Sequence, residues 1–76
     1  MDKLTAILNE IRPGQDFSSA HDFFAQGILD SVDLTTLVAS LESGYDLFID
    51  VEEFVPENFR NLRAIQALLA RHGVAA

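Results

Sequence analysis

The chain has 76 residues, a formal net charge of −7 from twelve acidic against five basic residues, and no cysteine. So short a chain buries only about 60% of its unfolded surface, which leaves one core, so residues 1–76 read as a single domain. The acid excess repels phosphate backbones and anionic headgroups, making nucleic acid and membrane surfaces poor partners, while the missing thiols exclude disulfides, side-chain redox chemistry and cysteine metal sites.

An enzyme needs a cleft walled by rigid elements and several positioned groups, and a core of this size leaves little material for one. A binding or carrying role, without catalysis, is the expectation. Basic proteins are better candidate partners for the acidic surface, although acidity also serves solubility alone. Met1-Asp2-Lys3-Leu4-Thr5 lacks the apolar run of a signal peptide, and no stretch approaches the roughly 18 apolar residues of a membrane span, so the expected address is the cytoplasm.

Leu4, Ile7, Leu8 and Ile11 recur at helical spacing and predict a first helix with Asp2 as its N-cap, ended by Pro13-Gly14. Residues 13–29 form a long connection whose Phe17, Phe23, Phe24, Ile28 and Leu29 suggest a loop packed down by its own side chains. Leu34, Leu37, Val38 and Leu41 mark the central helix, capped by Asp30 and stopped at Gly44. Tyr45 to Ile49 reads as extended, Asp50-x-x-Glu53 as a capping box for a short helical turn cut off by Pro56, and Pro56-Glu57-Asn58-Phe59 as another turn. The last helix starts near Asn61, turns Leu62, Ile65, Leu68 and Leu69 inward, and ends at Gly73. Three amphipathic helices with short turns and no strand pattern give an all-α bundle.

Asp30-Ser31 puts a hydroxyl at the start of the central helix, where unpaired N–H groups and the helix dipole favour a negative group such as a phosphodiester. Capping preference by itself also accounts for both residues. The helix face opposite the leucine stripe holds Val32, Thr36, Ala39, Ser40 and Ser43, none of them charged. A face merely solvated in so acidic a chain would collect Glu and Lys, so this one reads as a flat docking surface.

Residues 23–34, from Phe23-Phe24 through Gly27-Ile28-Leu29-Asp30-Ser31-Val32-Asp33-Leu34, and then Leu37 to Glu42, resemble the modification site of acyl and peptidyl carrier proteins. Val55-Pro56-Glu57-Asn58-Phe59 is similar to a segment of freestanding carriers in polyketide and nonribosomal peptide pathways. The resemblance implies a four-helix carrier bundle, three main helices plus a short third one. It implies a covalent 4'-phosphopantetheine arm, moved from coenzyme A onto Ser31 by a phosphopantetheinyl transferase that Asp30 helps to engage. Acyl or aminoacyl groups then ride as thioesters on the arm, so the reactive thiol arrives with the cofactor. The implied partners are a loading ligase or acyltransferase and downstream synthase or tailoring enzymes, which would read Val32, Thr36, Ala39 and Ser40 on a monomeric carrier. Val32 stands where the family usually has Leu, and Thr36 and Ser43 stand where fatty-acid carriers tend to have glutamates, which favours a dedicated biosynthetic pathway. D-alanine carriers of cell-wall modification share the motif, so that role stays open, as does an unmodified acidic helical adaptor.

No metal site is expected. Asp46 to Glu57 has the length of a calcium loop, but Phe48 and Val51 stand where a ligand and a glycine are needed and Pro56 interrupts it. His21 and His72 lack matched partners, and His72 is expected to meet the C-terminal end of the last helix. Ser31 as an activated nucleophile lacks any base or oxyanion donors nearby in sequence.

Overall fold

The computed structural model describes residues 3–75, so the Asp2 cap lies outside the described residues. Helix α1, Lys3–Ile11, buries Leu4, Ile7 and Leu8 on the expected stripe. Helix α2, Ser31–Tyr45, buries Leu34, Leu37, Val38 and Leu41 against it. Polar contacts at both ends fix the two helices antiparallel. At one end Lys3 Nζ donates to Gly44 O at 2.8 Å and stands 4.9 Å from the centre of the Tyr45 ring. The last turn of α2 has no basic residue of its own, so Lys3 brings positive charge to the negative end of that helix dipole. At the other end Arg12, just past α1, reaches Asp30 and Asp33 at the start of α2.

The central helix does not stop at Gly44. Its left-handed cap is Asp46, at φ 53°, whose N–H bonds Glu42 O. Aspartate enters this conformation more readily than most residues because its side chain is short and polar. Gly44 instead serves close packing, since a Cβ there would stand 3.0 Å from Ile7 Cδ1 of α1.

The connection is held by one node. Phe23 is fully buried, meets Phe17 edge to face at 5.2 Å, and donates its N–H to Arg60 O at 2.6 Å. Its carbonyl accepts from both Ile28 and Leu29, which closes the loop that delivers the chain to Asp30. Gln26 Oε1 takes the His21 and Asp22 amides, and Gly27, at φ 74°, supplies the left-handed turn between them and Ile28.

In place of one short third helix the chain makes two 3₁₀ turns, Val51–Glu53 and Pro56–Asn58. The Asp50 and Glu53 capping box starts the first as expected. Pro56 then excludes helical geometry from the residue before it, and Val55 is extended at φ −125°, ψ 146°, which splits the segment in two. Helix α3, Leu62–Arg71, is capped by Asn61 Oδ1 on Ala64 N and buries Ile65, Leu68 and Leu69, while Leu62 is half-buried. It closes in a double turn at Gly73, φ 80°, where Val74 N reaches Leu69 O and Gly73 N reaches Ala70 O. Three α-helices, two 3₁₀ turns and no strand make up the described residues.

Leu37 and Leu41 are fully buried where α2 faces the rest of the core. Leu37→Ala should cost about 2–5 kcal/mol, a large share of the stability of so small a domain. Chemical denaturation of the two proteins checks it, and a wild-type midpoint for Leu37→Ala would contradict the burial.

Candidate functional site

The start of α2 is a reciprocal hydrogen-bonded box. Asp30, extended at φ −121°, ψ −174°, accepts the Asp33 N–H on Oδ1 at 2.9 Å, and Asp33 Oδ2 accepts the Asp30 N–H at 3.1 Å. Ser31 is the first residue inside the helix and is exposed. The box gives the turn a defined geometry, and Ser31 projects from a capped helix start whose remaining free amides and dipole attract negative charge.

Two carboxylates three residues apart would repel each other, and Arg12 resolves the conflict. Its Nε and Nη2 lie 2.9 and 2.8 Å from Asp33 Oδ2, and Nη2 also lies 3.5 Å from Asp30 Oδ2. The Asp33 side chain is only 13% exposed against 61% for Asp30, so Asp33 is the sheltered member and its Oδ2 gathers three donors. The Asp33 amide bond, and to a lesser degree the charge of Arg12, hold the Asp30 carboxyl below the ordinary aspartate range against an opposing desolvation effect.

The expected docking face is exposed at Val32, Thr36 and Ala39 and half-buried at Ser40. Thr36, Ala39 and Ser40 share an open groove of about 370 Å³ with Ser43, Gly44 and, from α1, Ile7 and Glu10. Val32 lies outside it and is 71% exposed. The face is therefore a small-residue wall of a groove between two helices, with one acid, Glu10, contributed by α1. Thr35 and Thr36 turn their hydroxyls back to the Ser31 and Val32 carbonyls at 3.3 and 3.4 Å, which lowers the polarity the face presents.

Sequence reasoning missed Arg12 and Asp33. Asp33 had a signal, because an acid three residues after an aspartate cap can close a box. Arg12 had none, since it stands eighteen or more positions from the box in sequence. Sequence reasoning placed His72 against the end of its own helix. Its backbone N–H does cap Leu69 and Ala70 there, but its ring Nε2 goes to the Glu53 carboxylate at 2.9 Å. His21 is exposed, and its carbonyl accepts from Asn61 Nδ2. No group of three or more metal-binding side chains occurs among the described residues, and no helix there is long and apolar enough to cross a membrane.

A family model described as the phosphopantetheine attachment site matches residues 2–69. The chain belongs to that family. It is accordingly a non-catalytic carrier domain that attaches a 4'-phosphopantetheine group, and carriers of this kind work with a phosphopantetheinyl transferase and with synthase enzymes. No curated protein and no solved structure matches the chain.

The lowered pKa of Asp30 links the carrier domain's stability to pH. A carboxylate held below its unfolded value contributes stability that is fully present above the ordinary aspartate pKa and is lost as pH falls through the folded one. Titration of the Asp30 side chain by NMR should give a midpoint below the ordinary aspartate value, and Arg12→Ala should move it upward. An ordinary midpoint in the unaltered domain would contradict the cap geometry.

Proposed function

We propose that Ser31 is the phosphopantetheine attachment point and that residues 1–76 act as one carrier module of polyketide or nonribosomal peptide biosynthesis. The observation that carries the first part is the position of Ser31 as an exposed hydroxyl in the first turn of a capped helix. The other serines are placed differently. Ser18 and Ser19 give their hydroxyls to Asp16 at 2.6 and 2.8 Å, and Ser40 and Ser43 lie well inside α2.

The residues around Ser31 fit the group. A phosphodiester there meets the positive end of the α2 dipole, while the neighbouring acids are occupied, Asp30 by the Asp33 amide and Asp33 by Arg12. Ser31 would hold it through its oxygen, and exposed Val32 offers apolar contact beside it. In loading, Ser31 Oγ forms the new O–P bond, the diphosphate bond of coenzyme A breaks, the adenine nucleotide leaves, and the hydroxyl proton passes to a base on the transferase. The bound group supplies a thiol, which this cysteine-free chain lacks, for carrying acyl cargo as a thioester.

Support for the pathway lies in the uncharged wall of Thr36, Ala39, Ser40 and Ser43. Partners reading it rely on shape and packing, and the long acidic rows expected of a charge-read surface are absent from it. Together with exposed Val32, it forms the surface that loading and downstream enzymes meet.

Incubation with coenzyme A and a promiscuous transferase, followed by intact mass, should add one phosphopantetheine to the unaltered chain and none to Ser31→Ala, whose helical circular dichroism stays unchanged. Modification persisting in Ser31→Ala would overturn the assignment, and no modification of either would favour an unmodified adaptor. The partner surface is tested by loading of the modified domain. Ala39→Glu should slow it by about ten-fold or more, as expected when a charge enters a packed contact, while Gln66→Glu on the exposed face of α3 leaves it unchanged. Equal loading of the two would move recognition elsewhere.

A further inference from the structure

We infer that Arg12 is a positioning residue for the modification of Ser31, an inference that rests on Ser31 being the attachment point. The side-chain hydrogen bonds of Arg12 go to Asp33 and Asp30, the neighbours of Ser31. Arg12 acts through the box, because both nitrogens of its fork converge on Asp33 Oδ2, the atom that also accepts the Asp30 N–H. With that oxygen saturated, the Asp33 carboxylate has one orientation. The Asp30 backbone is then held in its extended conformation, and the next residue in the chain is Ser31.

The same guanidinium contacts Asp30 Oδ2 at 3.5 Å, so the two carboxylates flanking Ser31 share one cation. Without it they would repel across the first turn, and the Asp33 carboxylate, mostly sheltered from water, would lose its only ion-pair partner among the described residues. The expected response is fraying of the box. The Asp30 and Asp33 amides would lose their acceptors, and Ser31 would sample several directions. Reaction at a displaced or disordered nucleophile slows steeply, by up to about a hundred-fold for a misplacement of about 1 Å.

Lys3 provides the comparison. It too fastens α1 to α2, but at the far end, through Gly44 O and the Tyr45 ring. Removing it loosens the same helix pair without touching the box.

The test uses the apo chain and its Arg12→Ala, Arg12→Lys and Lys3→Ala variants. Transferase kinetics with coenzyme A, amide hydrogen exchange, melting temperature and peptide mapping of the modified residue are measured on each. For Arg12→Ala, kcat/KM with respect to the carrier should fall about ten-fold or more, with the KM for coenzyme A unchanged. Exchange should accelerate at the Asp30 and Asp33 amides. Lys3→Ala should melt at a similarly lowered temperature yet be modified at the wild-type rate and keep those amides protected. Arg12→Lys retains the charge with a single nitrogen, so it should recover only part of the rate.

A wild-type rate in Arg12→Ala, unchanged exchange at the two amides, or an equal loss in Lys3→Ala would each overturn the proposal. Full recovery in Arg12→Lys would do the same, because it would reduce Arg12 to a charge. Failure of the attachment reading shows separately, as modification that maps to a residue other than Ser31 in the unaltered chain.

Discussion

The meeting of Arg12 with Asp33 is the constraint around which the rest of the molecule is arranged. A chain with a net charge of −7 that places two aspartates within one helical turn needs a cation against them, and it has few to spare. Putting that cation directly after α1 dictates that α1 ends where α2 begins, which makes the pair antiparallel and brings Lys3 to the opposite end. The long connection follows from the same demand. Having left α1 beside the start of α2, the chain spends residues 13–29 on a loop folded over Phe23 before it enters the helix almost where it started.

The loop is thus more than a spacer. Phe23 ties it to Arg60 through the backbone, and Asn61 both caps α3 and holds the His21 carbonyl. The entry to α2 and the entry to α3 are therefore fixed by shared residues. Hydrogen bonds thus join the head of the last helix to the segment that leads to Ser31.

The apolar periodicity was legible because burial of a helix face depends on local spacing. The stripes of α1, α2 and α3 fell where Leu4, Ile7, Leu8, Leu34, Leu37, Val38, Leu41, Ile65, Leu68 and Leu69 placed them. The Asp30 and Asn61 caps were equally local and equally visible. What sequence could not supply was set by contacts across the fold. Gly44 carries the composition of a helix stop, yet it lies within α2 because Ile7 of another helix needs the room, and the stop moves to Asp46. Pro56 was visible as a breaker, and so were the short turn before it and the one starting at it; that both are 3₁₀ turns, with no short third α-helix, was not. The uncharged face of α2 was legible, while the groove it lines needed α1 to supply Ile7 and Glu10.

The segment between Ile49 and Phe59 has a different character. Its two ends are buried, but neither 3₁₀ turn buries a side chain fully, and Val51 and the nearby Phe48 are largely exposed. What fastens the middle is the packing of half-buried Phe54 against the core, together with polar contacts from His72 to Glu53, Arg71 to Asn58, and Asn58 to the Glu53 carbonyl. Exposed positions such as Val51 and Glu52 can be exchanged at small cost to folding, so what this stretch shows to the carrier's neighbours is set separately from the helices beneath it.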